Sequence, residues 1–192
     1  MTFLCLSRRT TLLRMLFCLT AMIFTSSVQA WWSLGGDDNE DRGYQAEFPL
    51  NERYQFECGA CHIAYPPQVL PKASWQNLFA NLNDHFGEAA TPDQNQAEIL
   101  NYLKNYASDS NNAGQFKDFT KRLQTPAPVR ITELSFWRLK HDKVLNNKTR
   151  FIIDNPDVGS SSRCNACHKD AEKGLFQKHT VNIPNIEKRA YK

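Results

Sequence analysis

The pattern Cys-x-x-Cys-His occurs twice in this chain, in ECGACH at residues 57–62 and in RCNACH at 163–168, and nothing else in the sequence limits the fold as tightly. Two thiols about one helical turn apart can add to the two vinyl groups of one porphyrin, and the histidine that follows is then held under the iron. Cys58 and Cys61 are therefore expected to tether one haem c with His62 as its proximal ligand. Cys164, Cys167 and His168 form the same set for a second. Two other uses of paired cysteines fit worse. A zinc ribbon brings its second pair within about 15–20 residues, whereas more than a hundred lie between these motifs. A thioredoxin-like redox pair needs a strand–helix setting, and neither copy has one.

The first thirty residues, MTFLCLSRRTTLLRMLFCLTAMIFTSSVQA, begin basic, continue through an apolar run from Met15 to Phe24 and end on small residues. That is the pattern of a secretory signal peptide, and the run is about half the length a membrane span needs. The pair Arg8-Arg9 suggests twin-arginine export, but that route carries folded cargo, while haem must be attached to an unfolded chain after export. Removing residues 1–30 takes Cys5 and Cys18 and all three methionines, so the four remaining cysteines all belong to the two motifs and no thioether ligand is left. It also takes three arginines, leaving 20 basic residues against 20 acidic ones.

That neutrality hides an asymmetry. Residues 31–120 hold 5 basic and 13 acidic side chains, and residues 121–192 hold 15 and 7. Such polarity can orient a charged partner during encounter, or can be two solvated surfaces of different sign. No dense run of Lys and Arg with interleaved aromatics points to nucleic acid.

Apolar periodicity predicts an all-α chain. Residues 31–50 read as an extended lead-in, and NERYQFECGACH as a short helix ending in the first motif. PKASWQNLFANLNDHFG spaces Trp75, Leu78, Phe79, Leu82, His85 and Phe86 three or four apart, which predicts a helix closed by Gly87 with His85 facing inward. TPDQNQAEILNYLKNYA predicts a helix capped by Thr91 with Pro92 in its first turn, Gln94 completing a capping box and Ile99, Leu100, Leu103 and Tyr106 buried. SDSNNAG at 108–114 is the candidate linker. QFKDFTKRL reads as helical, TPAPV as a break, and RITELSFWRLKHDKVLNN as a helix with Trp137, His141, Val144 and Leu145 on one side. The serines of GSSSR can cap a helix through CNACHKDAEKG, and the C-terminal stretch looks irregular. The expected division is a signal peptide at 1–30, an N-terminal haem domain at 31–112 and a C-terminal haem domain at 113–192.

The ligand opposite each proximal histidine decides whether a c-type haem shuttles electrons or binds small molecules. With methionine absent, the strong candidates are His85, His141 and His179, with lysine or an open site as the other possibilities. His85 and His141 lie on apolar stripes near Trp and Leu, 23 residues after His62 and 27 before His168. His179, in FQKHTVNIP, reads as a surface group and as the understudy for the second haem. Two bis-histidine irons would be low-potential electron-transfer centres.

The run ECGACHIAYPPQVLPKASWQNLFANLNDHFGEAA, with AYPP and HFG in place, resembles the bacterial dihaem cytochrome c (DHC) family. RITELSFWRLKH followed by RCNACHKDAEKGLF resembles that family's second half. The resemblance implies a periplasmic electron carrier with two haem c groups, a cytochrome-c-like N-terminal domain and a less typical C-terminal one. It also implies bis-histidine ligation, in which His62 and His168 match the proximal ligands and His85 and His141 the distal ones, with either a simple or a crossed pairing. Its implied partners are a ligand-binding monohaem cytochrome c and, in some cases, a membrane cytochrome b. The chain itself is expected to be a monomer without stable membrane insertion and not an enzyme. A dihaem peroxidase, a gas-binding module and a fixed subunit of a respiratory complex are the rival readings.

Overall fold

The stretch between the first motif and the second helix is pinned from three sides. Tyr54 donates its hydroxyl hydrogen to the carbonyl of Tyr65 at 2.8 Å, Trp75 donates its indole N–H to Pro67 at 2.9 Å, and the amide of Gln68 donates to Glu47 at 2.9 Å. Pro66, Pro67 and Pro71 are fully buried within it. Consecutive prolines fix φ and force the residue before each into extended backbone. The segment thus leaves the motif in one direction only. The computed structural model describes residues 44–92, 94–123, 125–148 and 154–191, and of 143–148 the backbone alone. The expected leader, most of the lead-in, and the inward-facing side chains expected of Val144 and Leu145 lie outside the described residues.

Among the described residues helices dominate, with one short strand pair. Helix α1 is Glu52–Cys58, capped by the Asn51 side chain, which accepts the backbone N–H of Tyr54 at 2.8 Å. It ends at Gly59, whose N–H bonds to the carbonyl of Gln55 at 2.9 Å. A side chain there would place its Cβ 2.4 Å from that same oxygen, so glycine is required inside the first motif. Helix α2 is Lys72–Phe79 and α3 is Gln96–Asn105. A 3-10 helix, Gly114–Thr120, leads through the proline-rich break to the longest helix among the described residues, α4, Ser135–Lys148. Helix α5 spans only Cys164–Cys167. Strand β1, Tyr44–Gln45, pairs antiparallel with β2, Leu175–Phe176, Tyr44 opposite Phe176, which ties the two ends of the described chain together. Gly174, at φ 73°, makes this possible, because a Cβ there would come within 2.5 Å of Ala46.

One apolar cluster runs through both halves: Tyr54, Val69, Leu70, Trp75, Ile99, Leu103, Phe116, Leu134 and Trp137. Ile99 and Leu103, on one face of α3, are wholly buried, and truncating either would cost roughly 2–5 kcal/mol. Among the described residues no helix is long and apolar enough to cross a membrane.

Local structure departs from the periodicity in four places. Helix α2 stops at Phe79 and does not reach His85. The next residues, Asn81-Leu82-Asn83-Asp84, are rich in side chains that compete for backbone hydrogen bonds, and Asn81 bonds instead to the carbonyl of Asn77 at 2.9 Å. Helix α3 begins at Gln96 and not at Thr91-Pro92. Ala90 donates back to the carbonyl of Leu82 at 2.8 Å, and Asn95 enters the helix from a left-handed conformation at φ 64°. The polar stretch 108–114 is packed: Ser108 and Ser110 are buried, and Ser108 donates to the carbonyl of Leu70 at 3.0 Å. Finally, no serine side chain caps α5. Ser160 and Ser162 bond to each other at 2.8 Å, and α5 ends after one turn at His168, whose backbone leaves the helical region at φ −104° and ψ 89°.

Candidate haem sites

Each motif presents its cysteines from the end or the length of a short helix. Cys58 is the last residue of α1, with Cys61 exposed beyond it, and Cys164 and Cys167 bound α5. None of the four is paired in a disulfide. Burial, with Glu57 nearby, pushes the Cys58 thiol up to about 11, burial does the same for Cys164, and it raises Cys167 as well. A disulfide-exchange site needs the opposite, a thiol pKa lowered toward neutrality. Among the described residues no three His, Cys, Asp or Glu side chains converge to hold a metal ion.

Each motif histidine faces one other histidine. The rings of His62 and His85 lie 6.2 Å apart centre to centre, with their planes at 34°. The rings of His141 and His168 are also 6.2 Å apart, at 77°. A metal–imidazole bond of about 2 Å on each side, plus roughly 1.2 Å from ring nitrogen to ring centre, places two imidazoles on one metal with centres about 6.4 Å apart. Both separations suit a single iron between the rings. His179, by contrast, is exposed on the 3-10 turn Lys178–Thr180.

The protonation of these rings also suits ligation. His62 lies with Nδ1 2.7 Å from the carbonyl of Ile63, and His141 with Nδ1 2.8 Å from the carbonyl of Trp137. A carbonyl only accepts, so Nδ1 carries the proton in both, and Nε2 is left with the lone pair a metal needs. One ring of each pair is fixed in this tautomer. In the other ring of the second pair, Nδ1 of His168 is buried with no hydrogen-bond partner among the described residues. Burial lowers the pKa of His85, aided by His62 and Arg130, and that of His141. Burial, together with His141, brings His168 down to about 4. Burial thus favours the neutral form of His85, His141 and His168.

His85 is presented by a tight turn. Its backbone N–H bonds to the carbonyl of Glu88 at 2.7 Å, and Phe86 and Gly87 between them have φ of 60° and 102°. Positive φ at both central residues is the mark of a primed hairpin turn, so Gly87 serves this turn and not a helix end. Asp84 tightens it by accepting the N–H of Gly87 at 3.0 Å. The positive φ of Phe86 is costly for an aromatic residue, and the guanidinium of Arg130 lies 3.9 Å above its ring. His141 instead projects from α4, its ring stacked on Trp137 at 4.1 Å and 14°. Phe176 of β2 meets the edge of His168 at 5.3 Å.

Sequence reasoning singled out the histidines and cysteines but not Tyr65, Arg130 or Phe176. Tyr65 stacks on His62 at 4.8 Å and 27°, and its hydroxyl donates to the carbonyl of Ser162. Burial and the nearby Cys164 raise its pKa, which keeps the phenol protonated and donating. The repeated prolines after Tyr65 were the available signal of a rigid segment. The contact with residue 162 had none.

Residues 54–176 match the family described as dihaem cytochrome c. Among solved structures, a diheme cytochrome type c from Shewanella baltica OS155 is 41% identical, covering 72% of this chain and 97% of its own length, with a TM-score of 0.57. A diheme cytochrome c from Rhodobacter sphaeroides is 39% identical, covering 68% of this chain and all of its own, with a TM-score of 0.58. DHC purified from Rhodobacter sphaeroides is 34% identical with the same coverage and a TM-score of 0.52. No curated protein matches.

Proposed function

The chain belongs to the dihaem cytochrome c family, carrying two covalently attached c-type haems for electron transfer, and from that premise we propose an exported, low-potential, bis-histidine electron carrier. Cys58 and Cys61 tether the first haem between His62 and His85, and Cys164 and Cys167 the second between His141 and His168, in the simple pairing. The observation that supports this most is the repeated 6.2 Å separation of imidazoles, one member of each pair being a motif histidine. Residues 31–112 and 113–192 each furnish one haem site, although the apolar core and the Arg130–Phe86 contact span the division.

A bound haem supplies an iron that gains or loses one electron without breaking bonds. The residues around it do the rest. Imidazoles from His62 and His85, and from His141 and His168, would close each iron to substrates, and nitrogen ligation in place of a thioether would keep the potential low. Rigid mounting of His85 on a closed turn and of His141 on a helix limits the rearrangement that accompanies each change of oxidation state. The leader at 1–30 would take the chain to the periplasm, where haem attachment occurs. There, the acidic and basic halves can orient it toward a redox partner such as a small ligand-binding monohaem cytochrome c.

The test is the visible and low-temperature EPR spectrum of the exported protein, with CO added after reduction. Two low-spin haems per chain that ignore CO are expected. A high-spin ferric signal or rapid CO binding in the wild type would overturn bis-histidine closure and favour an enzyme or a gas-binding module.

A further inference from the structure

Tyr65 stands where the two haem-binding segments meet. On one side its ring lies against the His62 imidazole, centres 4.8 Å apart and planes 27° from parallel. On the other its hydroxyl donates to the carbonyl oxygen of Ser162, 97 residues away in sequence and two residues ahead of Cys164. The residue is held for this position: Tyr54 grips its carbonyl at 2.8 Å, and the buried Pro66 and Pro67 fix the chain that leaves it. Thioether formation and iron ligation need only the cysteines and histidines. Neither accounts for a tyrosine that touches a ligand of one centre and the attachment segment of the other.

We propose that Tyr65 is a positioning residue that couples the two haem centres, fixing the second attachment segment against the first centre's proximal histidine and furnishing a ring-and-hydrogen-bond connection for electron exchange between them. This deepens the carrier reading and rests on it. In each exchange one electron leaves the ferrous centre, which becomes ferric, and reaches the ferric centre, which becomes ferrous. No bond is made or broken. The phenolic proton stays on Tyr65, since the carbonyl that accepts its hydrogen bond cannot take it up. A stacked ring and one hydrogen bond restrain the contact between the two attachment segments and hold its span constant.

The experiment uses the full haem-loaded protein and two variants. Tyr65→Phe keeps the stack and deletes the hydrogen bond, and Tyr65→Leu deletes both. Three quantities are read: the rate of internal electron equilibration after photoreduction, the separation of the two midpoint potentials, and the EPR spectrum of each centre. Tyr65→Phe should slow equilibration several-fold and shift the potential separation, with both haems present and low-spin. Tyr65→Leu should slow it further. A Tyr65→Phe protein that loses unfolding resistance but equilibrates at the wild-type rate would overturn the proposal by reducing the tyrosine to a structural prop. If Tyr65→Leu fails to fold, the one-oxygen change in Tyr65→Phe still decides. Failure of the underlying reading would show differently, as a wild type lacking two low-spin haems.

Discussion

The imidazole planes of His141 and His168 stand 77° apart at a ring separation of 6.2 Å, close to perpendicular, whereas His62 and His85 at the same separation are only 34° from parallel. The angle matters because, in the proposed bis-histidine centres, each imidazole would offer its π orbital to one iron d orbital. Rings near parallel favour the same d orbital and split the pair, while perpendicular rings treat the pair alike. Low-temperature EPR of the oxidised protein should therefore show two different low-spin ferric signals. The His62/His85 centre should be the ordinary rhombic one and the His141/His168 centre the more strongly anisotropic one. Two identical signals would contradict the ring geometry.

The distal histidines can be separated by substitution. His85→Ala and His141→Ala should each open one iron and leave the other closed, so that roughly half of the low-spin absorption survives in each variant. The reduced variants should each bind one CO per chain. His85→Ala should remove the rhombic EPR signal and His141→Ala the anisotropic one. Exchange of those two outcomes would establish a crossed pairing.

Trp137 is 8% exposed and lies flat on the His141 ring, while its carbonyl accepts the Nδ1 proton of that ring. Trp137→Ala keeps the carbonyl but empties the space, and should destabilise the protein by about 3–5 kcal/mol, read by denaturant unfolding. Trp137→Phe retains a stacking ring and should cost less. A freer His141 should also broaden the EPR signal of the second centre in Trp137→Ala and leave the first unchanged.

Acid should weaken the fold through the second site. Burial, and then His141, holds the His168 imidazole below its ordinary pKa in the folded chain, and iron bound to the ring would hold it lower still. A folded-state pKa below the unfolded one means that the unfolded chain binds the proton more readily. The contribution is therefore complete above the ordinary value of about 6.5 and is lost progressively as pH falls below it. Unfolding free energy of the haem-loaded protein measured against pH should decline below about 6.5.

Much of the site was legible because covalent attachment is local. Cys-x-x-Cys-His is short, and its spacing alone specifies the thiol separation and the adjoining ligand, so Cys58, Cys61, His62, Cys164, Cys167 and His168 could be named from the text. The core helices were also legible, since an apolar stripe such as Ile99 and Leu103 reports burial directly. The helix boundaries were not. Periodicity carried His85 into a helix that the Asn- and Asp-rich residues after Phe79 end early, and side-chain competition for backbone hydrogen bonds leaves no periodic trace.

The amino-acid order by itself determined the number of haems and the residues proposed to tether them, because those depend on neighbours along the chain. Only the tertiary structure decided which distant imidazole faces which, at what angle, and that Tyr65 meets Ser162. Those relations join residues tens of positions apart, and they follow from how buried prolines, a closed turn at His85 and a shared apolar core bring the two halves together.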